Sequence, residues 1–145
     1  MLSDDIHVPR EYEGFLKAIY ALGAELIYKV PYGGGALIKY KNLLIKIERD
    51  WNDYYLCLGF ADKYEEKDLE NFSFFNTAAL EYICPLVKGT NKFSHEDAEA
   101  LHSIEFQCKF VLDNLDKLVD LFSVENHKKT ESETRNIQSR ALGWL

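Results

Sequence analysis

Residues 36–60, ALIKYKNLLIKIERDWNDYYLCLGF, decide the fold. Apolar and polar side chains alternate along them with a period of two, the pattern of a half-buried strand. From Leu43 to Arg49, Leu43, Ile45 and Ile47 point one way while Lys46 and Glu48 point the other. From Tyr54 to Phe60, the residues Tyr54, Leu56, Leu58 and Phe60 share a side. Lys41-Asn42 is a short turn after a strand from Ala36 to Tyr40, and residues 50–53, DWND, are rich in side chains that bond their own backbone in turns. Upstream, residues 25–30, ELIYKV, read as another strand with Leu26, Tyr28 and Val30 on one face, ended by Pro31 and the glycines 33–35. Four sequential strands with short connections form an antiparallel meander. One of its faces is expected to be covered and the other partly wet.

Helices flank this meander. Pro9 suits a first helical position, where its missing N–H has no partner to lose. Tyr12, Phe15, Leu16, Ile19 and Leu22 follow in one apolar stripe, and Gly23 is a natural stop. After a charged segment at 62–70, residues 71–83 read as a helix on the spacing of Phe72, Phe75, Ala79, Tyr82 and Ile83, ended by Pro85. Residues 94–122 read as one long helix. Ser94 is its N-cap, Glu96 and Asp97 lie in its first turn, and Leu101, Ile104, Cys108, Val111, Leu115, Leu118 and Phe122 form a seam in steps of three and four. The expectation is one α+β domain over residues 1–123: about four antiparallel strands packed against an N-terminal helix and a long C-terminal helix. Residues 124–145 read as a polar tail or helix with an apolar end.

The chain has 145 residues, enough for one domain with a sizeable core. Its 47% apolar and 14% aromatic content is that of a globular protein. Asp and Glu outnumber Lys and Arg by 24 to 17, giving a formal charge of −7. This balance argues against nucleic acid or an anionic membrane as partner, since both demand basic residues, and it suits a basic protein. The three cysteines, Cys57, Cys84 and Cys108, are odd in number, widely spaced and set among apolar residues, as buried thiols in a reducing compartment are. The first 14 residues lack an apolar signal-peptide core, and no run of about 18 apolar residues spans a membrane. The cytoplasm is the expected location.

No segment has the spacing of a catalytic or metal motif. The glycines 33–35 lie between strands and lack the Lys-Ser/Thr of a phosphate loop. Glu48, Asp50 and Asp53 cluster about a turn, but without the calcium-loop pattern and with Arg49 among them. His95, Glu99 and His102 fall on one face of the expected long helix, but without the His-Glu-x-x-His of a zinc hydrolase. No Gly-x-Ser-x-Gly elbow occurs, and no cysteine has a basic local setting. The expectation is a non-enzymatic chain that needs neither cofactor nor metal. The remaining signal is aromatic and acidic: Glu48, Asp50, Trp51, Asp53, Tyr54 and Tyr55 about one turn, with Tyr32 in the glycine loop, are the candidate residues for binding a protein partner.

Tyr40-Lys41-Asn42, residues 44–48 (LIKIE) and the Asp50–Asp53 turn, within the order helix, meander, helices, give the chain a further reading. Over residues 10–122 it resembles immunity proteins of polymorphic toxin systems in size, acidity and element order. The resemblance implies a cytoplasmic, non-enzymatic bacterial protein that blocks a toxin's active site with acidic and aromatic groups, and it assigns no particular residue. Secretion chaperones, which are small, acidic and usually dimeric, are an alternative, with the seam at 101–122 as a dimer interface; monomer and homodimer both remain open. A small ligand-binding regulator or enzyme, with a pocket between meander and helices, is the third class.

Overall fold

The computed structural model describes residues 8–30, 34–63 and 77–143. Its architecture is α+β. A 3-10 turn at Arg10–Tyr12 leads into α1 (Glu13–Ala21), followed by β1 (Glu25–Val30), β2 (Gly35–Tyr40), β3 (Leu43–Asp50) and β4 (Asp53–Phe60). After a 3-10 turn at Ala61–Lys63 come β5 (Thr77–Ala79), α2 (Leu80–Lys88), α3 (His95–Ala100), α4 (Ile104–Asp113), α5 (Leu115–Leu121) and α6 (His127–Ala141). The five strands form one antiparallel sheet in chain order, β1-β2-β3-β4-β5. The expected four-strand meander is therefore present, with a short fifth strand on its β4 edge.

The core lies on the face carrying Ala36, Ile38, Leu43, Ile45, Ile47, Leu56, Leu58 and Phe60, all buried. Against it pack Tyr12, Phe15, Leu16 and Ile19 from the first helical segment and Val111, Leu115, Leu118 and Phe122 from the C-terminal helices. Leu22, read as part of the apolar stripe, instead caps α1 and is exposed, because the helix ends one residue earlier and Gly23 turns the chain away at φ +105°.

The second face of the sheet is drier than the alternation suggests. Leu37 and Leu44 are buried there, and Lys46, expected on the wet side, is 1% exposed, with its ammonium 3.2 Å from Glu48. A buried lysine needs such a counter-charge. In β1 a bulge between Leu26 and Tyr28 breaks the alternation: Leu26 stands opposite Ile38 and Tyr28 opposite Leu37, so the two lie on opposite faces rather than one.

Three helical expectations change. Residues 77–79 of the helix read over 71–83 pair with β4 as β5, while its first part, with Phe72 and Phe75, lies outside the described residues. The helix starts at Leu80 and continues through Pro85 to Lys88. The proline removes only the hydrogen bond to the Glu81 carbonyl, and burial of Ile83, Cys84, Pro85 and Val87 offsets that loss. The single helix read over 94–122 is three. Ser94 caps α3 as expected, its Oγ accepting the Asp97 N–H at 3.2 Å, but Ser103 caps a new helix through the Phe106 N–H at 3.3 Å. Asn114 interrupts a second time, donating from its side chain to the Phe110 carbonyl at 2.8 Å. Side chains that compete for backbone groups break what the apolar spacing alone would continue. The seam nevertheless faces inward, with Leu101, Cys108, Val111, Leu115, Leu118 and Phe122 all buried. In the C-terminal segment, α6 turns His127, Thr130, Thr134 and Ile137 inward and lies against α2. The last two residues lie outside the described ones.

Candidate functional site

The β3–β4 hairpin closes on the Asp50–Asp53 rung, leaving Trp51 and Asn52 as a two-residue turn. Trp51 sits at φ +59°, a region that strains any residue with a Cβ, and it is 88% exposed. Its carbonyl accepts from Arg49 Nε at 2.7 Å, a local bond that holds the turn but buries nothing. Asp50 and Asp53 flank it and are exposed.

Period-two geometry sorts the other candidates. Glu48, Asp50, Asp53 and Tyr55 share the second face of the hairpin, with Glu48 opposite Tyr55 in register. Tyr54 lies on the core face, half-buried and edge-on to Tyr12 with ring centroids 6.4 Å apart, so it serves packing rather than the free surface. Tyr32 lies outside the described residues. Glu48 has its own cation in Lys46, and Cys57 Sγ lies 3.8 Å from the same carboxylate.

Beyond the hairpin tip no described strand pairs with the outer edge of β4, since β5 meets it at Cys57, Leu58 and Gly59. Over Tyr54–Leu56 one side chain takes the place that a pairing strand would fill. Gln107 Oε1 accepts the Leu56 N–H at 3.0 Å and its Nε2 donates to the Tyr54 carbonyl at 3.3 Å, the two bonds a neighbouring backbone would make. The same amide accepts from the Tyr12 hydroxyl at 3.1 Å and donates to the Leu101 carbonyl at 2.8 Å. Two acceptor sites and two donors are thus all used, and Gln107 is only 1% exposed. Burial, with neighbouring groups that disfavour its ionisation, pushes the Tyr12 phenol well above the ordinary tyrosine value and keeps it a donor.

An amide is shorter than a strand, so a cleft of about 590 Å³ remains beside it. Leu56, Leu80, Ala98 and Leu101 supply apolar lining and Glu48, Asp50 and Glu81 supply carboxylates. Tyr55 stands edge-on to His102, ring centroids 6.5 Å apart, and the pair lines both this cleft and a smaller hollow of about 210 Å³ that holds Glu11 and Asp53. Partial burial, then the charges of Asp53, Asp50 and Glu81, raise the Tyr55 pKa, so its hydroxyl stays protonated at neutral pH.

Glu81, His102 and Gln107 are the site residues that sequence reading missed. Glu81 was hidden by the helix read across it. Apolar spacing puts His102 with His95 and Glu99 on one helix face, but α3 stops at Ala100, and His95 instead meets Phe93, ring centroids 5.0 Å apart. Gln107 carried one signal: a polar side chain three residues from Ile104 and four from Val111, within the apolar stripe.

Burial raises all three thiols, to about 12 for Cys57, about 11 for Cys84 and about 12 for Cys108, so none is a thiolate at neutral pH. All three are free. Among the described residues no group of three or more His, Cys, Asp and Glu side chains is placed to hold a metal ion, and no helix is long and apolar enough to cross a membrane. No protein-family model, curated protein or solved structure matches the chain.

Proposed function

We propose that this chain is a non-enzymatic protein-binding module that takes a basic partner on the free end of its β3–β4 hairpin. The observation that carries the reading is Trp51, an indole 88% exposed on a strained backbone position. Neither property helps the chain fold. An exposed aromatic is a favoured interface anchor, and strain is retained where binding uses it. The carboxylates of Asp50 and Asp53 on either side select for positive charge and speed its approach. An inhibitor or immunity protein that neutralises a basic toxin or effector is the specific form this reading takes. Three free, buried thiols support a reducing compartment such as the cytoplasm.

The test is affinity capture on tagged full-length protein, with titration calorimetry of whatever basic protein is retained. Trp51→Ala is expected to weaken that complex by about 10-fold or more, as a central aromatic anchor does. Raising the salt from 0.05 to 0.5 M is expected to weaken it further. A partner that binds the Trp51→Ala and Asp50→Asn/Asp53→Asn variants as tightly as the parent would refute the assignment to the hairpin.

A further inference from the structure

We propose that the cleft beside β4 is a socket for an arginine side chain projecting from the basic partner. The inference rests on the protein-binding reading and names the chemistry of the partner's contact.

Three features converge on a guanidinium. The first is charge. Among the described residues three carboxylates line the cleft, and the one lining Lys or Arg, Arg49, is turned to the Trp51 carbonyl. Lys46 serves Glu48, whereas neither Asp50 nor Glu81 has an ion pair among the described residues. Among the described residues, two carboxylates are thus left without a counter-charge beside a partly desolvated cleft, where a cation gains most. The second is shape. The cleft's volume falls within the range of ligand pockets and accommodates a long side chain with its flanking backbone. Its apolar lining at Leu56, Leu80 and Leu101 matches a methylene stem. The third is the Tyr55–His102 pair. A planar, weakly hydrated guanidinium stacks on such rings while its N–H groups reach carboxylates in the same plane. A lysine ammonium gives up more hydration and cannot fork.

The position of the cleft also fits. It adjoins Trp51 across Arg49 and Asp50, so one partner loop can meet the indole and place its arginine in the cleft. The smaller hollow beyond Tyr55 and His102 carries Glu11 and Asp53, which extends the negative lining past the ring pair.

The test uses full-length ¹⁵N-labelled protein titrated with acetyl-Gly-Arg-Gly-amide. Saturable shifts are expected in the amide signals of Tyr55, Leu56, Glu81 and His102. The citrulline peptide, equal in shape but uncharged, is expected to give none, and the lysine peptide weaker ones. Glu81→Gln is expected to weaken arginine-peptide binding by about threefold, the scale of a rim charge, while Val124→Ala, at an exposed residue that lines neither hollow, leaves it unchanged. Equal binding of the citrulline or lysine peptide, or shifts confined to other elements, overturns the socket. Tighter binding of free L-arginine than of the peptide also overturns it, in favour of a metabolite. The two readings fail separately. A basic partner lost with Trp51→Ala but indifferent to Glu81→Gln and to competing arginine peptide sinks the socket alone. Peptide binding at the cleft by a chain that retains no basic protein upholds the socket chemistry and sinks the partner.

Discussion

The two tight turns of the meander have the same construction and opposite fates. Lys41-Asn42 joins β2 to β3 and Trp51-Asn52 joins β3 to β4, each in two residues, with the first at positive φ, +54° and +59°. The Asn42 turn is tied down. Its side-chain nitrogen donates to Asp62 at 2.9 Å and to the Phe122 carbonyl at 2.8 Å, and its side-chain oxygen accepts the Asp62 N–H at 2.9 Å. Asp62 in turn reaches His127 Nδ1 at 3.2 Å, and the His127 ring stacks on Phe60 with centroids 3.8 Å apart. Among the described residues the side-chain bond at the Trp51 turn is the local one from Arg49, and the fold is fastened just behind it by Gln107. One end of the sheet is thus committed to holding the C-terminal helices, while the other is fastened from below and, among the described residues, left uncovered. The difference teaches that a strained turn is no guide to function until one asks what its side chains touch.

The largest expected effect tests the fastening. Gln107→Leu keeps the volume but leaves the Leu56 N–H, the Tyr54 and Leu101 carbonyls and the Tyr12 hydroxyl without their partner. A loss of about 3–5 kcal/mol in urea unfolding is expected, from a desolvation penalty of about 1–3 kcal/mol for each orphaned group partly relieved by relaxation. A loss below about 1 kcal/mol would mean that water replaces the amide and the end is not held as described.

Asn42→Ala tests the tied end. Three hydrogen bonds go, and about 2 kcal/mol of stability is expected to go with them at pH 7. The loss should depend on pH. Partial burial acts to raise the Asp62 pKa, but hydrogen bonds from Asn42 and His127 outweigh it and hold the carboxyl below its ordinary 3.8. A depressed acid contributes stability in full above its unfolded value and loses it as the pH falls through the folded one. The gap between parent and variant should therefore narrow below pH 3.8, without closing, since the Phe122 bond does not titrate. A gap independent of pH would remove Asp62 from this account.

The smallest effect has the opposite sign. Trp51→Gly relieves positive-φ strain and gives up no burial, so stability is expected to rise by about 0.5–1 kcal/mol while partner binding falls. A destabilised variant would show that the indole packs somewhere, and the contrast between the turns would collapse.

The two ends also differ in how far they were legible. The Trp51 end could be read from local pattern, since alternation and turn chemistry at residues 43–60 place Glu48, Asp50, Asp53 and Tyr55 on one face without knowledge of anything distant. The same alternation puts Tyr54 on the other face, and only its contact with Tyr12, 42 positions away, shows that it packs inward. The tied end and the cleft were not legible. Asn42 meets Phe122 across 80 positions and Gln107 meets Leu56 across 51, and nothing in a local window encodes such a meeting.

By itself the sequence determined what has a short-range cause: the meander, from side chains alternating every two residues; the N-terminal helix, from its apolar stripe and Gly23; the inward seam of residues 101–122, from steps of three and four; the acidic charge, from composition. Tertiary structure decided the rest. It drew residues 77–79 into the sheet, buried Lys46 beside Glu48, and set an amide where a strand would run, whereas the breaks at Ser103 and Asn114 are local caps that the apolar spacing masks. The physical reason is the same in each case. A hydrogen bond or ion pair is worth little in water and much once its groups are buried, so its partner is chosen by the packing that removes the water.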